Sequence, residues 1–585
     1  MRAGLGVALL LASATVSRAG DAPAGLVLHN ARVWTAEADH PWAEAVAVRD
    51  VRIAAVGSRA AVDRLRGPRT VVLDLGGRLV LPGFVDAHIH LIEGALSLQQ
   101  VDVSDDSTVE ATQARIRAFA AAHSDEAWVV GQGWLYGTFP GGLPTRAQLD
   151  AAVPDRPTFI SCYDGHTGWA NSRALALAGI TRDTKDPEKG VIVRDPATGE
   201  PTGALKESAV SLVTKAIPLP GPERRYELLL QALRRLNEQG VTAVGDAGYG
   251  LADLPGALAL FERAETEGRL TVRTTVSVQI EPRRVGPAVA EARRLFEVHH
   301  GPRLFFGPVK GFVDGVVEAH TAALLAPYAD DSSFGTGLPN WTPAQLEAAA
   351  LAVDKAGLPL WLHAIGDGAV RMALDAHQAP VDQDGPRDRR CRIEHAETIA
   401  TADYPRFRAL GVIASMQPLH ANPDQNNEAV WVRNLGPDRA SRGFSWGNVE
   451  RAGGRLAFGS DWPVVTSDVM RGLYCAVTRR TRDGWPPGGW LPEQAVPVES
   501  ALRHYTIDAA YSMGQEAETG SLTVGKRADL VVLSQDVLSG DPSRILETKV
   551  LLTLIDGRAV HEDSALPGAD RLAKAESGGQ PSPPA

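Results

Sequence analysis

The sequence predicts an α/β fold: a (β/α)8 TIM-like barrel, a small β-sandwich domain formed from both termini, and an insertion after the first barrel strand. Three observations support this prediction. Apolar strands alternate with helical stretches through the middle of the chain, which is typical of a parallel sheet. Residues 25–79 and 515–565 contain short alternating runs broken by Gly and Asp, which indicate antiparallel strands. The stretch LPGFVDAHIHL, residues 81–91, ends an apolar run in two histidines, His88 and His90.

The N-terminal residues 1–19, MRAGLGVALLLASATVSRA, predict a cleaved signal peptide. Arg2 supplies the positive end, an apolar segment follows, and Ser17-Arg18-Ala19 forms a cleavage site of the small-x-small type. The segment is too short to span a bilayer. We therefore expect a periplasmic or secreted protein with no membrane anchor after signal removal. An apolar N-terminal helix is the alternative.

Composition limits the class of partner. The chain has 585 residues, 59 basic and 70 acidic, and its net charge of −11 is not offset by any basic run, which argues against nucleic acid. Its three cysteines, Cys162, Cys391 and Cys475, are widely separated and form neither a disulfide framework nor a CxxC motif. The expected partner is a small-molecule substrate, and a homodimer is left open.

Seven further apolar segments predict the remaining barrel strands. They are residues 241–247, 272–280, 304–314, 358–366, 391–396, 412–417 and 456–462. Residues 223–239 and 343–356 have apolar positions at helical spacing and predict helices between strands. With the strand that carries the two histidines, the total is eight, for which a barrel spanning residues 80–514 is the economical solution.

The segment 92–220 is much longer than an ordinary connection between a strand and a helix. It contains two predicted helices, residues 107–123 and 146–153, and a Gly/Trp-rich segment, GQGWLYGTFPGG. We interpret it as a subdomain inserted near the mouth of the barrel. Residues 566–585 end in SGGQPSPPA, a composition that predicts a disordered tail.

Candidate metal ligands end several predicted strands. Two histidines at i and i+2 on a strand point to the same face and can share one ligand. In a β/α barrel the working residues lie at the carboxyl ends of the strands, where this sequence places Lys310, His363, His395 and Asp461. Each has a structural alternative: a satisfied core histidine, an ion pair of His395, or a helix N-cap for Asp461. A buried unpaired Lys310 is harder to explain, because burying an ammonium is costly.

Nine sequence strings resemble the amidohydrolase superfamily, and within it the amidohydrolase-3 group that includes N-substituted formamide deformylases and related exported, metal-dependent amidohydrolases. The strings are PGFVDAHIHL, SCYDGHTGWANS, GVTAVGDAG, VKGFVDG followed by TAALL, LHAIGDGAV, RIEHAE, SMQPLHANPD, FGSDWPV and GSLTVGKRADLVVL. The resemblance runs from about residue 25 to residue 562. The strings with DGHTGWANS and QPLHANPD indicate the narrower group.

This resemblance implies a centre of two divalent metal ions. His88 and His90 would hold one ion, His363 and His395 the second, and Lys310, carboxylated on its amine, would bridge them. Two Zn²⁺ ions are the expectation for these donors, while manganese, iron and nickel stay open. Asp461 would be both a ligand and the catalytic base, and His395 joins it among the expected catalytic residues.

The same resemblance suggests residues that bind substrate, and the residues themselves leave alternatives open. The expected contacts are Asp164, His166, Trp169, Gln417 and His420. His166 or His420 could donate to an oxyanion, but the DGHTGW string could equally build a rigid loop, and His420 could cap the next element. Glu207 is either a pocket carboxylate or an exposed helix charge, the second being favoured. Trp134 and Tyr136, with Trp169, suggest an apolar group in the pocket or packing within the insertion.

The expected function is metal-dependent hydrolysis of a C–N bond in a linear amide-type substrate, an N-acyl or N-formyl amine. A hydroxide shared by the two cations would be the nucleophile, and no GxSxG motif supports a serine mechanism. The alternatives are an esterase, lactonase or carbamate hydrolase on the same centre. A non-catalytic binding protein on the same barrel is the alternative from another class, and retention of every ligand-type residue argues against it.

Overall fold

The computed structural model describes residues 22–423 and 430–568. The predicted signal peptide and residues 569–585 of the predicted tail lie outside the described residues. Leu566, at the start of that predicted tail, is buried in the core of the β-sandwich. Within the described ranges, no helix has the length and apolar character needed to cross a membrane.

The N-terminal segment forms seven short strands and one helix. The strands are β1 (Leu26–His29), β2 (Arg32–Trp34), β3 (Trp42–Ala43), β4 (Ala45–Arg49), β5 (Arg52–Gly57), β6 (Val71–Asp74) and β7 (Leu79–Pro82). Helix α1 (Arg59–Asp63) begins after Ser58, whose hydroxyl accepts a hydrogen bond from the Ala61 amide. The first barrel strand, β8 (Phe84–Ile89), follows after only Gly83.

The chain then forms helix α2 (Leu91–Ser97) and the insertion. The insertion strands are β9 (Val101–Asp102), β10 (Val129–Trp134), β11 (Thr158–Cys162), β12 (Thr167–Ala170), β13 (Gly190–Arg194) and β14 (Pro201–Glu207). They form one sheet in the order β13-β14-β12-β11-β10-β9. Its helices are α3 (Val109–Ala122), α4 (Arg146–Ala152), α5 (Ser172–Leu177) and α6 (Val210–Thr214).

Strands and helices alternate through the remainder of the barrel. The strands are β15 (Val241–Tyr249), β16 (Arg273–Ile280), β17 (Leu304–Phe312), β18 (Leu360–Ala364), β19 (Arg392–His395), β20 (Ile413–Met416) and β21 (Arg455–Phe458). The helices are α7 (Pro222–Glu238), α8 (Leu254–Thr266), α9 (Val285–Val298), α10 (Pro343–Lys355), α11 (Asp367–Asp384), α12 (Tyr404–Leu410), α13 (Val432–Leu435), α14 (Pro437–Ala440), α15 (Trp446–Arg451) and α16 (Val469–Thr478).

Among the described residues, eight parallel strands form the barrel sheet in the order β21-β20-β19-β18-β17-β16-β15-β8. The sheet closes where its first and last strands meet. The Asp461 amide donates to the His88 carbonyl at 2.7 Å, and the His90 amide donates to the Trp462 carbonyl at 2.9 Å. The predicted barrel is confirmed, and each of the eight predicted strands coincides with an observed one.

The C-terminal segment returns to the N-terminal strands. It forms α17 (Val498–His504), α18 (Ile507–Ser512), β22 (Leu530–Leu533), β23 (Val550–Ile555) and β24 (Arg558–Glu562). One sheet has the order β5-β4-β1-β6, and the other, β24-β23-β22-β7-β2-β3, combines strands from both ends of the chain. Apolar side chains of the two sheets share one core, which includes Leu28, Val48, Val80 and Leu552.

A buried ion-pair network attaches the barrel to the sandwich. Arg273, the first residue of β16, donates from Nε to Asp529 Oδ2 at 2.7 Å and from Nη2 to Asp556 Oδ1 at 2.5 Å. Asp529 directly precedes β22, and Asp556 lies in the turn between β23 and β24. Arg303 and Arg527 also donate to Asp556. Because Arg273 is fully buried, the network stabilises the fold only while each charge has a partner of opposite sign.

Replacing Arg273 should therefore destabilise the fold strongly. We expect Arg273→Met to lower the free energy of unfolding by about 3–5 kcal/mol, because it leaves the buried Asp529 carboxylate without its arginine partner. Urea unfolding followed by circular dichroism measures this change. Arg294→Met, which removes an exposed pair with Glu291, is the matched control and should change stability by less than about 1 kcal/mol. Equal effects of the two substitutions would contradict the interpretation.

Candidate metal centre

The ligand-type residues lie at the carboxyl ends of the barrel strands. His88 is in β8 and His90 follows that strand directly, Lys310 is near the end of β17, and His363 and His395 end β18 and β19. Asp461 follows β21. Since all eight strands are parallel, these side chains from distant parts of the chain are collected at one end of the barrel.

The carboxylate of Asp461 lies between the two histidines of the first strand. Its Oδ1 is 3.3 Å from His88 Nε2 and 3.2 Å from His90 Nε2. Burial raises the pKa of Asp461, but the charges and hydrogen bonds of the surrounding histidines outweigh it and hold that pKa well below its usual range. His88, His90 and Asp461 thus form a compact set of three ligand atoms that could hold one metal ion.

Glu394 fixes the orientation of His88. The imidazole Nδ1 of His88 lies 2.6 Å from Glu394 Oε2, and Arg392 Nε donates to Glu394 Oε1 at 2.7 Å. Burial raises the pKa of Glu394, but the Arg392 guanidinium and His88 hold it far below its usual range. An ionised carboxylate on Nδ1 directs the lone pair of Nε2 toward Asp461, which is the arrangement a metal-binding histidine needs.

The backbone at the seam of the barrel is shaped for Asp461. Asp461 has φ of 62°, a left-handed conformation that a non-glycine residue adopts at a cost of about 1–3 kcal/mol. A Cβ on Gly459 would lie 2.5 Å from the His88 amide nitrogen, so glycine is required there. Buried Asp86 accepts hydrogen bonds from the Ser460 amide and hydroxyl at 2.8 and 2.5 Å. These contacts tie the strand of the two histidines to the loop of Asp461.

A second group of ligand atoms uses the other oxygen of the same carboxylate. Asp461 Oδ2 is 3.8 Å from His395 Nδ1 and 3.6 Å from His420 Nε2. The rings of His395 and His420 are nearly parallel, with centroids 5.7 Å apart. His395, His420 and Asp461 lie close enough together to hold an ion. The resemblance implied a different pair for the second ion, His363 with His395.

His363 lies beside this group, and its Nε2 points to the Gly315 loop. Its ring centroid is 4.5 Å from that of His395, yet its Nε2 is 3.3 Å from the Gly315 carbonyl oxygen and 3.8 Å from Asp314 Oδ1. Burial, reinforced by the nearby Lys310 charge, holds the pKa of His363 well below its usual value, so the ring is neutral and able to act as a ligand.

Lys310 is fully buried at the base of the site. Its ammonium nitrogen lies 4.5 Å from the centroid of the Phe312 ring. Burial lowers the pKa of Lys310 to about 8, although the charges of Glu394 and Asp461 oppose the change. A lysine in such surroundings is partly neutral at physiological pH and is chemically competent as a nucleophile.

Three buried polar atoms at this site have no hydrogen-bond partner within the described residues: His88 Nε2, Lys310 Nζ and Asp461 Oδ1. Buried polar atoms almost always have partners, so three unpartnered atoms on candidate ligand residues indicate a missing ligand. An imidazole nitrogen and a carboxylate oxygen are good donors for a divalent cation. The residues present therefore fit a metal ion.

A cavity of about 550 Å³ opens beside the ligand atoms, between the barrel and the insertion. His90, His363, His395, His420 and Asp461 reach its wall from the barrel. Its apolar lining includes Leu96, Val130, Phe159, Ile217, Phe312 and Phe444. We refer to it as the central cavity. An apolar cavity with a few convergent polar groups is the usual form of a small-molecule site.

Two of the predicted substrate residues, Asp164 and His166, line the central cavity from the insertion. His166 Nδ1 is 3.0 Å from Glu207 Oε2, and its amide donates to Asp164 Oδ1 at 2.8 Å. Burial lowers the pKa of His166, but the Glu207 and Asp164 carboxylates outweigh it and raise that pKa to about 9. The favoured interpretation of Glu207 as an exposed helix charge is wrong, since it ends strand β14 and pairs with His166.

Two other predicted substrate residues do not line the cavity. Trp169 is fully buried in the core of the insertion, where its indole Nε1 donates to the Thr145 carbonyl at 2.8 Å. Gln417 lies behind His395, with its Oε1 2.8 Å from His395 Nδ1. Trp134 and Tyr136 also belong to the insertion core, so the aromatic residues of that segment pack against one another.

Sequence reasoning missed several residues of the site. Glu394 is not among the residues predicted from the sequence, yet it orients His88 from another strand. Glu318 and Glu397 line the central cavity, and Tyr163 donates to Glu318. Burial raises the pKa of Glu318 to about 8, with the Glu397 charge adding to the effect. The sequence contains no spacing that signals these contacts, because each joins separate strands or loops.

A β/α barrel with imidazole and carboxylate groups at the carboxyl ends of its strands, beside a cavity, is the arrangement typical of metal-dependent hydrolases. A model of the amidohydrolase family matches residues 71–561. That match covers most of the chain, and the chain belongs to the amidohydrolase family.

Known relatives span nearly the whole chain. The chain is 31% identical over 551 residues to an N-substituted formamide deformylase of Arthrobacter pascens, covering 91% of this chain and 97% of that protein. It is 31% identical to the putative amidohydrolase YtcJ of Bacillus subtilis, covering 92% and 99%. It is 32% identical to Protein LONG AFTER FAR-RED 3 of Arabidopsis thaliana, covering 92% of each. A solved structure of an uncharacterized metal-dependent hydrolase from Pyrococcus horikoshii aligns with a TM-score of 0.69 at 26% identity, covering 88% and 99%.

The Glu394–His88 contact should control metal affinity. We expect Glu394→Gln to weaken zinc binding at least about tenfold, because the neutral amide no longer fixes the His88 tautomer or supports its basicity. Competition with a fluorescent chelator measures the affinity. Glu450→Gln, which alters a carboxylate near His504 away from the centre, is the matched control. Unchanged zinc affinity in a folded Glu394→Gln protein would refute this role.

The His166–Glu207 pair should give a stability that depends on pH. Because the pKa of folded His166, about 9, exceeds its ordinary value of 6.5, the stabilisation is fully present below pH 6.5 and is lost as pH rises through 9. We expect Glu207→Gln to lower the melting temperature more near about pH 6 than near about pH 10. Glu291→Gln, which removes a carboxylate paired with an arginine, should show no such difference. An NMR titration that places His166 near its ordinary pKa would rule the pair out.

Proposed function

We propose that this protein hydrolyses the C–N bond of a linear amide-type substrate, an N-acyl or N-formyl amine. The observation that carries the proposal is the position of Asp461, whose two carboxylate oxygens face His88 and His90 on one side and His395 and His420 on the other. The similarity to an N-substituted formamide deformylase supports a C–N bond as the target.

The proposed centre holds two Zn²⁺ ions, one on His88 and His90 and one on His395 with His363 or His420. When bound, such ions lower the pKa of a water molecule and polarise the scissile carbonyl group. Carboxylation of Lys310 would satisfy its buried nitrogen, which adds to carbon dioxide as the neutral amine and loses one proton to give an anionic carbamate. A Lys310→Ala protein that still takes up both zinc equivalents would contradict a role of Lys310 in holding the ions.

Asp461 is the proposed general base. It is ionised and buried, and its side chain lies beside His88, His90, His395 and His420, so it can take a proton from the attacking water. The same carboxylic acid then gives that proton to the departing amine. His395, held by Gln417 and placed beside Asp461, keeps the carboxylate in position during both transfers.

His166 is the proposed donor to the oxyanion. Glu207 keeps its imidazole protonated at neutral pH, and its ring lies 6.0 Å from that of His363 across the central cavity. A protonated imidazole aimed at a developing negative charge stabilises the tetrahedral intermediate more than the planar substrate. Asp164 holds the His166 loop through its amide. The apolar wall of the central cavity would then accept the hydrocarbon part of the substrate.

A hydrolysis screen on zinc-loaded protein tests the proposal. We expect amides such as N-benzylformamide to be cleaved faster than matched esters and carbamates, and Asp461→Asn to lower kcat by at least about a hundredfold, as expected for loss of a general base. Zinc content is measured on both proteins, and Glu450→Gln is the control variant. If only esters, lactones or carbamates are cleaved, the proposed amide substrate is wrong and the corresponding alternative is supported. Unchanged turnover in Asp461→Asn would eliminate the proposed base.

A further inference from the structure

A second cavity, of about 480 Å³, adjoins the central cavity on the side of the barrel seam. We call it the side cavity. The two cavities have six wall residues in common: Gln100, Gln132, Tyr163, His420, Pro463 and Val464. One of these, His420, has its Nε2 3.6 Å from Asp461 Oδ2. A molecule held at the ligand atoms of the centre therefore borders directly on the side cavity.

Two arginines line the side cavity without a carboxylate partner among the described residues. Arg235 comes from the last turns of α7 and Arg471 from the first turn of α16. Neither forms an ion pair with a described acidic residue, and Arg235 Nε is buried with no hydrogen-bond acceptor in the same part of the chain. The Arg235 guanidinium lies 5.6 Å from the centroid of the Trp462 ring. Two part-buried cations that face one cavity cost free energy unless an anion binds between them and neutralises them.

Some other part-buried arginines of the barrel have a carboxylate partner. Arg371 on α11 lies 2.9 Å from Asp403, and Arg389 lies 2.8 Å from Asp354. Guanidinium groups are preferred where a carboxylate or phosphate is to be bound, because their planar donors match these anions. Arg235 and Arg471 thus have the character of an anion-binding site whose partner anion is not supplied by the described residues.

The remaining charges of the side cavity favour a single negative charge on the ligand. Asp102 and Asp105 also line it, so two cations and two anions are present before any ligand binds. A carboxylate gains the attraction of the arginines at modest repulsion from the aspartates. For a phosphate dianion both the attraction and the repulsion double, whereas the cost of removing the ion from water grows about fourfold, because the Born energy scales with the square of the charge.

We propose that the side cavity binds the carboxylate of a substrate whose scissile amide lies in the central cavity. This inference rests on the proposed amide hydrolysis and narrows its substrate class to N-acyl or N-formyl amines that carry a carboxylate on a chain linking the two cavities. Arg235 and Arg471 are then residues that determine specificity. They lie outside the ligand set of the metal centre.

The first test compares two matched substrates, 6-(formylamino)hexanoate and N-hexylformamide, on the zinc-loaded protein. We expect the carboxylate substrate to have the higher kcat/KM. Arg235→Gln and Arg471→Gln should each raise its KM about tenfold, the loss expected for one charge-assisted hydrogen bond, and leave kcat and the neutral formamide unchanged. Arg234→Gln, the exposed neighbour on α7, is the matched control for charge. Equal kcat/KM for both substrates, with no effect of Arg235→Gln or Arg471→Gln, would overturn the inference and leave the hydrolase proposal intact.

Calorimetry separates the two proposals if neither formamide is cleaved. Hexanoate, 1-hexanol and inorganic phosphate are titrated into the zinc-loaded wild-type protein and the three variants. We expect hexanoate to bind more tightly than hexanol or phosphate, and about tenfold more weakly to Arg235→Gln and Arg471→Gln but not to Arg234→Gln. Binding that is the same in all four proteins would place the carboxylate elsewhere and refute the site. Tighter binding of phosphate than hexanoate would refute the assignment to a carboxylate.

Discussion

The closure of the barrel at Asp461 is the constraint on which the rest of the site depends. The Asp461 amide donates to the His88 carbonyl, and its carboxylate lies between the histidines of the first strand. One residue therefore joins the first and last strands through its backbone and collects the ligand atoms through its side chain. The left-handed backbone at Asp461 is strained, and the contacts of Asp86 with Ser460 offset that strain. Asp461 therefore contributes both to the closure of the barrel and to the proposed chemistry.

Burial gives the charged groups of the site their properties. His88 lies against the ionised Glu394, His363 is kept neutral, and His166 is kept protonated by Glu207. His363 and His166 differ in protonation state because His363 is buried beside the Lys310 charge, whereas the Glu207 and Asp164 carboxylates offset the burial of His166. A set of histidines with identical chemistry thus divides into ligands and a cationic donor according to where the fold places each ring.

The insertion and the sandwich play different parts around the barrel. The insertion supplies Asp164, His166 and Tyr163 to the cavity and packs its large aromatic residues in a core of its own. It can therefore shape a substrate pocket without disturbing the barrel. The sandwich touches neither set of ligand atoms, and its buried network through Arg273 anchors the opposite end of the barrel. The side cavity lies where the insertion meets the loop after the last strand, next to the proposed reaction centre.

The sequence by itself determined the fold class and the residue types of the metal centre. Apolar runs predicted the eight strands, and a parallel barrel brings the ends of its strands to one side. His88, His90, Lys310, His363, His395 and Asp461 could therefore be predicted to lie there, while their assignment as metal ligands stays a prediction. The periodicity of apolar residues did not predict how the side chains are oriented. Only the tertiary structure placed Glu394 on His88, paired Glu207 with His166, buried Trp169 in the insertion, turned His363 toward Gly315 and set His420 beside Asp461. Each of these contacts joins residues from different strands or loops, and such contacts are decided by packing in three dimensions, which no local pattern in the chain encodes.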